Sequence, residues 1–333
     1  MSASPLDVVG IGNAIVDILA QCDDAFLKAH GSEKGFTTLC DAETVTRLYE
    51  AAGPTVEASG GSAANTIVGV AGFGGTSAYI GKVAEDEFGR IFQHDIRAAG
   101  VTYETVPKSG GAPTARSLIL VTPDGERTMH TFLGVSPELD GDDIDADLIA
   151  RAKILYLEGY LFDRPQAQEA FYRAAAIARD VGRKVALTLS DGFCVDRHRS
   201  AFRDIIKSEV DILFANKAEI LSLFETDSFE GAVANARDMA PITAITQSED
   251  GSVLSRDGEI VEVPAVPVTK VVDSTGAGDL YASGVLYGLS RDLPLATCGQ
   301  LGSLAASETI GQIGARPRAN LKEKAQDAGL SLG

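Results

Sequence analysis

From about residue 153 to residue 310 the chain alternates short apolar runs with longer segments of helical period, and this alternation limits the fold more than any other feature. Lys153-Ile-Leu-Tyr-Leu157, Val185–Leu189, Val210–Phe214 and Ile242–Thr246 are near-continuous apolar runs of strand length. After the first of them, Pro165 to Gly182 sets Ala167, Ala170, Phe171, Ala174, Ile177, Ala178 and Val181 on one helical face. Pro165 suits a first turn there and Gly182 a C-cap. Further helices are expected at Arg197–Lys207, up to about Phe224, at Gly276–Leu289 and at Leu295–Ile310. Strands joined through single helices run parallel with right-handed crossovers. The expected fold class is therefore α/β, a doubly wound sheet with helices on both faces.

Two stretches, about 17–38 and 102–132, break the rhythm and are richer in extended segments. Ser117–Thr122 and Arg127–Phe132, joined by the turn Pro123-Asp-Gly-Glu126, predict a β-hairpin. A small antiparallel sheet of this kind on an α/β body serves as a lid or a dimer surface.

Composition narrows the function classes. Lys and Arg number 29 against 47 Asp and Glu, a formal charge of −18. Nucleic acids and anionic membranes need clustered basic residues, so neither is an expected partner. The cysteines (Cys22, Cys40, Cys194, Cys298) and histidines (His30, His94, His130, His198) are scattered without zinc-ligand spacing. Reduced thiols are expected, in a cytoplasmic protein, since Met1–Asp7 has no basic stretch followed by an apolar one.

The chemistry concentrates in Val271-Val-Asp-Ser-Thr-Gly-Ala-Gly-Asp-Leu-Tyr-Ala-Ser-Gly284. Gly276, Ala277 and Gly278 let backbone N–H groups approach a ligand where a helix begins, an arrangement suited to a phosphate. Asp279 falls in the first turn, where a general base toward a substrate hydroxyl is its useful role. The helix N-terminus is expected to lower its pKa, which phosphoryl transfer tolerates. A glycine-rich turn with a capping Asp is the alternative. Gly81-Lys82 is followed by Val83, which excludes a Walker A loop, and Gly10-Ile-Gly12 lacks its third glycine at Ile15.

Other segments carry polar groups near small residues. Asn216-Lys-Ala-Glu219 has one-face spacing suited to a water-rich Mg²⁺, and equally the spacing of a capping box. Gly60-Gly61-Ser-Ala-Ala-Asn65 lets a ligand lie on backbone, with Asn65 for hydroxyl recognition. In Gly10-Ile-Gly-Asn13-Ala-Ile-Val-Asp17, Asp17 could grip a vicinal diol. Tight turns with polar caps are the alternatives for both.

In their order these segments resemble the ribokinase-like (PfkB) family of carbohydrate and nucleoside kinases. The resemblance spans about 7–317: Gly-Asn13-x-x-x-Asp17, Gly60-Gly61-x-x-x-Asn65, Gly81-Lys-Val-Ala-Glu-Asp-Glu-Phe-Gly89, Asn216-x-x-Glu219 and Asp273-x-Thr-Gly-Ala-Gly-Asp279. It implies one three-layer α/β/α domain over 1–333, with a β-sheet lid inserted from about 17–38 and 102–132. It implies transfer of the ATP γ-phosphate to a primary hydroxyl, and a monomer or lid-mediated homodimer; the lid is expected to close over bound substrate, since transfer to water must be prevented.

By position, the resemblance makes Asp279 the base and Gly276, Ala277 and Gly278 the anion hole. Asn216 and Glu219 would lie on the Mg²⁺–ATP side, with Asn13, Asp17, Gly60, Gly61 and Asn65 at the acceptor. Thr246-Gln-Ser-Glu-Asp-Gly251 matches the family's nucleotide loop, Thr-x-Gly-x-x-Gly, with Ser248 in place of the middle glycine. Ser303 falls at the adenine pocket. Asp273 and the Gln312–Gly314 stretch fall where many members bind a monovalent cation such as K⁺.

Within the family the pattern is most similar to adenosine kinases, and Arg127 matches an arginine that approaches the transferred phosphate. Glu158 sits where sugar kinases place a substrate-binding glutamate, which keeps a sugar acceptor as the alternative. Tyr160 and Phe162, with Leu39, could form a slot for a purine base or be ordinary core residues. A catalytically silent nucleoside-binding protein on the same fold is a third alternative, opposed by the intact Asp279.

Overall fold

The apolar runs of the carboxyl-terminal half are buried strands. Their period-two side chains divide between two cores, Ile154 and Tyr156 facing one and Leu155 and Leu157 the other. The computed structural model describes residues 4–312, 314–316 and 318–333. Among these, nine strands form a large sheet in the spatial order Glu259–Val263, Ser252–Arg256, Ile242–Thr246, Ile212–Asn216, Lys184–Thr188, Ala152–Glu158, Leu6–Ile11, Ser77–Ile80 and Thr102–Tyr103. The last seven run parallel, as single-helix crossovers require.

Ser252–Arg256 and Glu259–Val263 depart from the expected parallel order and turn back antiparallel at the sheet edge. Their hairpin turns at Asp257-Gly258, both at positive φ (50° and 86°), the conformation that an Asp-Gly pair accommodates.

Helices cover both faces, so the expected doubly wound α/β fold is observed. Pro165–Asp180 begins at its proline and buries Ala167, Ala170, Phe171, Ala174 and Ala178. Each large apolar side chain so buried contributes about 1.5–3 kcal/mol. The helix stops two residues before Gly182, which is left-handed (φ 69°), so Val181 is exposed rather than on the buried face. The helix expected at Arg197–Lys207 starts earlier, at Gly192. Asp191 caps it by accepting from the Cys194 N–H, and it kinks at His198.

A second sheet has the order Thr37–Leu39, Arg127–Phe132, Ala115–Val121, Ile15–Gln21 and Thr55–Gly60. The predicted hairpin around Pro123–Glu126 is present, pairing Val121 with Arg127. Its other members differ from the two expected stretches. Thr55–Gly60, outside both, pairs with Ile15–Gln21, whereas Thr102–Tyr103 belongs to the large sheet and Asp24–Ala29 is helical. Leu6–Ile11 passes into Ile15–Gln21 across three residues, so the small sheet leaves the large one at the carboxyl end of a central strand. Parallel α/β sheets bind ligands outside those carboxyl ends.

Candidate active site

Between the two sheets lies a cavity of about 370 Å³. Thr188, Asn216 and Thr246 reach it from the carboxyl ends of adjacent parallel strands. Ile15, Ile119 and Met129 close it from the small sheet with apolar surface. Gly276, Gly278 and Asp279 enter at the start of helix Ala277–Ser290.

Gly276 is left-handed (φ 76°), and a Cβ there would fall 2.6 Å from that of Ala315, so only glycine fits. One detail of the expected anion hole changes. The Ala277 N–H donates to the Ser274 carbonyl (3.2 Å) and is committed to the turn. The N–H groups of Gly276, Gly278 and Asp279 have no partner among the described residues. They are the donors that remain for an anion at this terminus.

The Asp279 carboxylate lines the cavity with no salt link among the described residues. Ser62 donates its hydroxyl to Oδ1 (2.7 Å) and Asn65 its Nδ2 to Oδ2 (3.1 Å). The expectation that the helix N-terminus lowers its pKa is overturned. Enclosure in the cavity outweighs the two hydrogen bonds and raises it to about 6. Asp17 is likewise raised to about 6 by burial, against the pull of the Arg316 and Arg127 charges.

Asp17, Gly61 and Asn65 line the cavity with Asp279. Gly60 does not, and its role is clearance, since a Cβ there would collide with the Asp17 carboxylate. Gly61 (φ 103°) passes so close to the Asn13 carbonyl that a side chain is excluded. Asn13 lies behind the wall. Its Nδ2 donates to Glu158 (2.7 Å) and its Oδ1 accepts from Ser136 (2.8 Å).

Glu158 is 1% exposed and absent from the lining. Its carboxylate accepts from the backbone N–H groups of Asn13 (3.1 Å) and Ala63 (2.8 Å) as well as the Asn13 amide. Burial raises its pKa to about 7 against those bonds. The residue fastens the first strand to the start of helix Ser62–Gly72.

The expected aromatic slot is not assembled. Tyr160 lines the cavity, but Phe162 stacks on Phe202 in the core (centroids 4.4 Å apart), and Leu39 is 66% exposed on an edge strand. Ile15, Ile119 and Met129 supply the apolar surface instead, a set with no local sequence signature because it spans three strands.

Asn216 and Glu219 both line the cavity and also form the capping box. Asn216 Oδ1 accepts from the Glu219 N–H (2.9 Å), and Glu219 accepts from the Asn216 N–H (2.9 Å) and Nδ2 (2.6 Å). Burial raises the Glu219 pKa to about 7.

Thr246 lines the cavity, whereas Ser248 and Gly251 shape the turn behind it. Ser248 holds φ 54°, the conformation that glycine adopts freely at this point of the motif. Ser303 is buried in helix Leu295–Ile310, off the cavity wall.

Arg127 and Asp273 form an ion pair at 2.8 Å, with side chains only 7% and 3% exposed. Asp273 also accepts from the N–H groups of Thr275 and Gly314 (both 3.0 Å). Ile313, within the Gln312–Gly314 stretch, lies outside the described residues, as do Met1–Ala3 and Pro317. Sequence reasoning missed Ser62, which the glycine-rich motif contains, and Arg316, which donates to Asn65 Oδ1 (3.3 Å).

Residues 46–322 match the pfkB family carbohydrate kinase profile. The chain belongs to the PfkB family of carbohydrate kinases. It is similar to a solved structure of a probable sugar kinase from Rhizobium etli CFN 42, at 51% identity, covering 99% of this chain and 100% of that one, with a TM-score of 0.91. A solved adenosine kinase from Sinorhizobium meliloti is also 51% identical, with 98% and 100% covered and a TM-score of 0.90. An uncharacterized sugar kinase of Archaeoglobus fulgidus is 29% identical, covering 75% of this chain and 97% of its own. This PfkB protein is thus a phosphotransferase with ATP as co-substrate. No helix among its described residues is long and apolar enough to cross a membrane.

Proposed function

We propose that this kinase phosphorylates the 5′-hydroxyl of adenosine, giving AMP and ADP. The observation that carries the reading is the disposition of Glu158. The carboxylate that a sugar kinase would offer its substrate is spent on Asn13 and Ala63 and faced away from the cavity. In its stead the acceptor side offers Asp17 and Asn65 beneath apolar Ile15, Ile119 and Met129. That combination suits a ribose diol joined to a flat apolar base.

In this reading the acceptor hydroxyl approaches Asp279, which takes its proton as the bond to phosphorus forms. With its pKa raised to about 6, the carboxylate is a stronger base than an exposed Asp yet remains ionised at neutral pH. The Gly276, Gly278 and Asp279 N–H groups then face the transferring phosphoryl oxygens, donors fixed before charge develops. ATP lies toward Asn216 and Thr246.

Asn216 and Glu219 fit a hydrated Mg²⁺. They present a buried carboxylate with no ion-pair partner among the described residues, and its bonds to Asn216 leave lone pairs for bound waters. When bound, that ion supplies charge neutralisation of the triphosphate. Asp273 does not fit a monovalent cation in this arrangement, because the Arg127 guanidinium already neutralises it.

Steady-state assays with adenosine, other nucleosides, ribose and fructose test the proposal. A preference for adenosine in kcat/KM is expected, whereas a free sugar favoured by about 100-fold rejects it. A sugar kinase is the second reading, favoured by the similarity to the probable sugar kinase of Rhizobium etli.

A further inference from the structure

Residues 314–316, which follow helix Leu295–Ile310, touch three separate parts of the site. The Gly314 N–H donates to Asp273 Oδ2 (3.0 Å). Ala315 packs against Gly276 at the helix start. Arg316 donates from Nε to Asn65 Oδ1 (3.3 Å) and from Nη1 to Ser59 Oγ (2.6 Å) and Asp95 Oδ2 (2.9 Å). The Asp95 carboxylate accepts in turn from the Ser59 N–H (2.8 Å).

We propose that Arg316 is a positioning residue: it fixes which way the Asn65 amide points, and so presents a donor rather than an acceptor to Asp279. The inference rests on the reading of Asp279 as the proton acceptor. An amide has one donating and one accepting end, while a guanidinium only donates. With Arg316 on one side, Asn65 must turn Oδ1 toward it, which leaves Nδ2 facing Asp279 Oδ2 at 3.1 Å. Without the guanidinium only the carboxylate orients the amide, which is then freer to turn away and loosen the bond.

Arg316 does not itself line the cavity, so it acts through Asn65. Asp95 and Ser59 hold its head from helix Glu87–Ala98 and strand Thr55–Gly60. Its positive charge also acts on Asp17. Asp279 is held by the Ser62 hydroxyl and the Asn65 amide, and its charge bears in turn on the carboxylates of Asp17, Glu158 and Glu219 and on the phenols of Tyr156 and Tyr160. Removing the Asn65 donor from this largely acidic set raises the pKa of Asp279.

A double-mutant cycle tests the inference, using whichever acceptor the wild-type protein phosphorylates best. Arg316→Ala should lower kcat about 10- to 100-fold, leave KM for ATP unchanged and move the acid limb of kcat/KM to higher pH. Arg316→Lys should recover part of the loss. In an Asn65→Ala background, Arg316→Ala should change kcat by less than about twofold, because the route through the amide is already cut. Independent, multiplicative losses, or an unmoved acid limb, overturn the inference.

If Arg316→Ala does not fold, Asp95→Asn loosens the same guanidinium while keeping its shape. It should shift the acid limb in the same direction, and no shift overturns the inference. Asp279→Asn separates the two levels. Full activity there removes the underlying reading. An inactive Asp279→Asn alongside independent Arg316 and Asn65 effects removes this inference alone.

Discussion

Asn65 and Asp279 stand 214 residues apart in the chain and meet through a 3.1 Å hydrogen bond at the mouth of the Ala277–Ser290 helix. One is carried by the first turn of helix Ser62–Gly72, which leaves the small sheet, the other by the first turn of helix Ala277–Ser290. In the proposed reading, their contact joins acceptor recognition to phosphate chemistry. Helices Ser62–Gly72 and Ala277–Ser290 pack closely enough that a Cβ at Gly69 would collide with Ser283.

The raised pKa of Asp279 predicts the pH profile. The proton acceptor must be ionised, so kcat/KM should fall on the acid side with an apparent pKa of about 6, where an exposed Asp would give a limb near 4. Initial rates from pH 4.5 to 8 at saturating ATP measure it. A profile flat down to pH 4.5 contradicts the assignment.

Glu158→Ala should be a stability variant more than a binding variant. It leaves the buried Asn13 and Ala63 N–H groups without their acceptor, at a cost of about 2–4 kcal/mol. Thermal unfolding should show a clear drop in Tm while KM for the preferred acceptor changes little. A sharp rise in that KM with Tm unchanged would return the sugar-kinase reading.

The apo protein should lose stability as pH rises from about 5 to 8. Asp17, Glu158, Glu219 and Asp279 all have folded pKa values raised by burial, to about 6 or 7. Between the unfolded and folded pKa the native state holds more protons than the unfolded one. Their contribution is therefore fully present below the unfolded values and lost as pH passes the folded ones. Chemical denaturation across this range, without nucleotide, measures the slope. Stability rising steadily from pH 5 to 8 contradicts it.

Ser248→Gly should stabilise the protein by about 0.5–1 kcal/mol, because Ser248 is held at φ 54° where glycine has no Cβ penalty. Denaturant midpoints for the two proteins make the comparison. A destabilised variant would mean that the serine side chain itself holds the turn.

The parts of the fold legible in the sequence are those where one element states its own reason. Pro165–Asp180 shows its proline start and one apolar face, and Leu295–Ile310 its small and apolar residues at helical spacing. The strand Thr55–Gly60 gave no such sign. Its Thr-Val-Glu-Ala-Ser-Gly is half polar, and only Ser59 and Gly60 are buried beside a single neighbouring strand. Asp279 was legible because glycine turn, helix start and carboxylate are contiguous. Its pKa was not, since the enclosing walls come from other strands. Arg316 was least legible, because its meaning lies in an amide 251 residues away. Phe162 stayed open between slot and core because a residue after a strand can turn to either, and Phe171 and Phe202 decide for the core from two other helices.

The most direct test of the central claim is pre-steady-state phosphoryl transfer in Asp279→Asn, with acceptor affinity measured on the same protein. The account predicts that transfer slows by about 10²- to 10⁴-fold while the Kd for adenosine stays within a few-fold of wild type. Transfer at the wild-type rate with the carboxylate removed contradicts it.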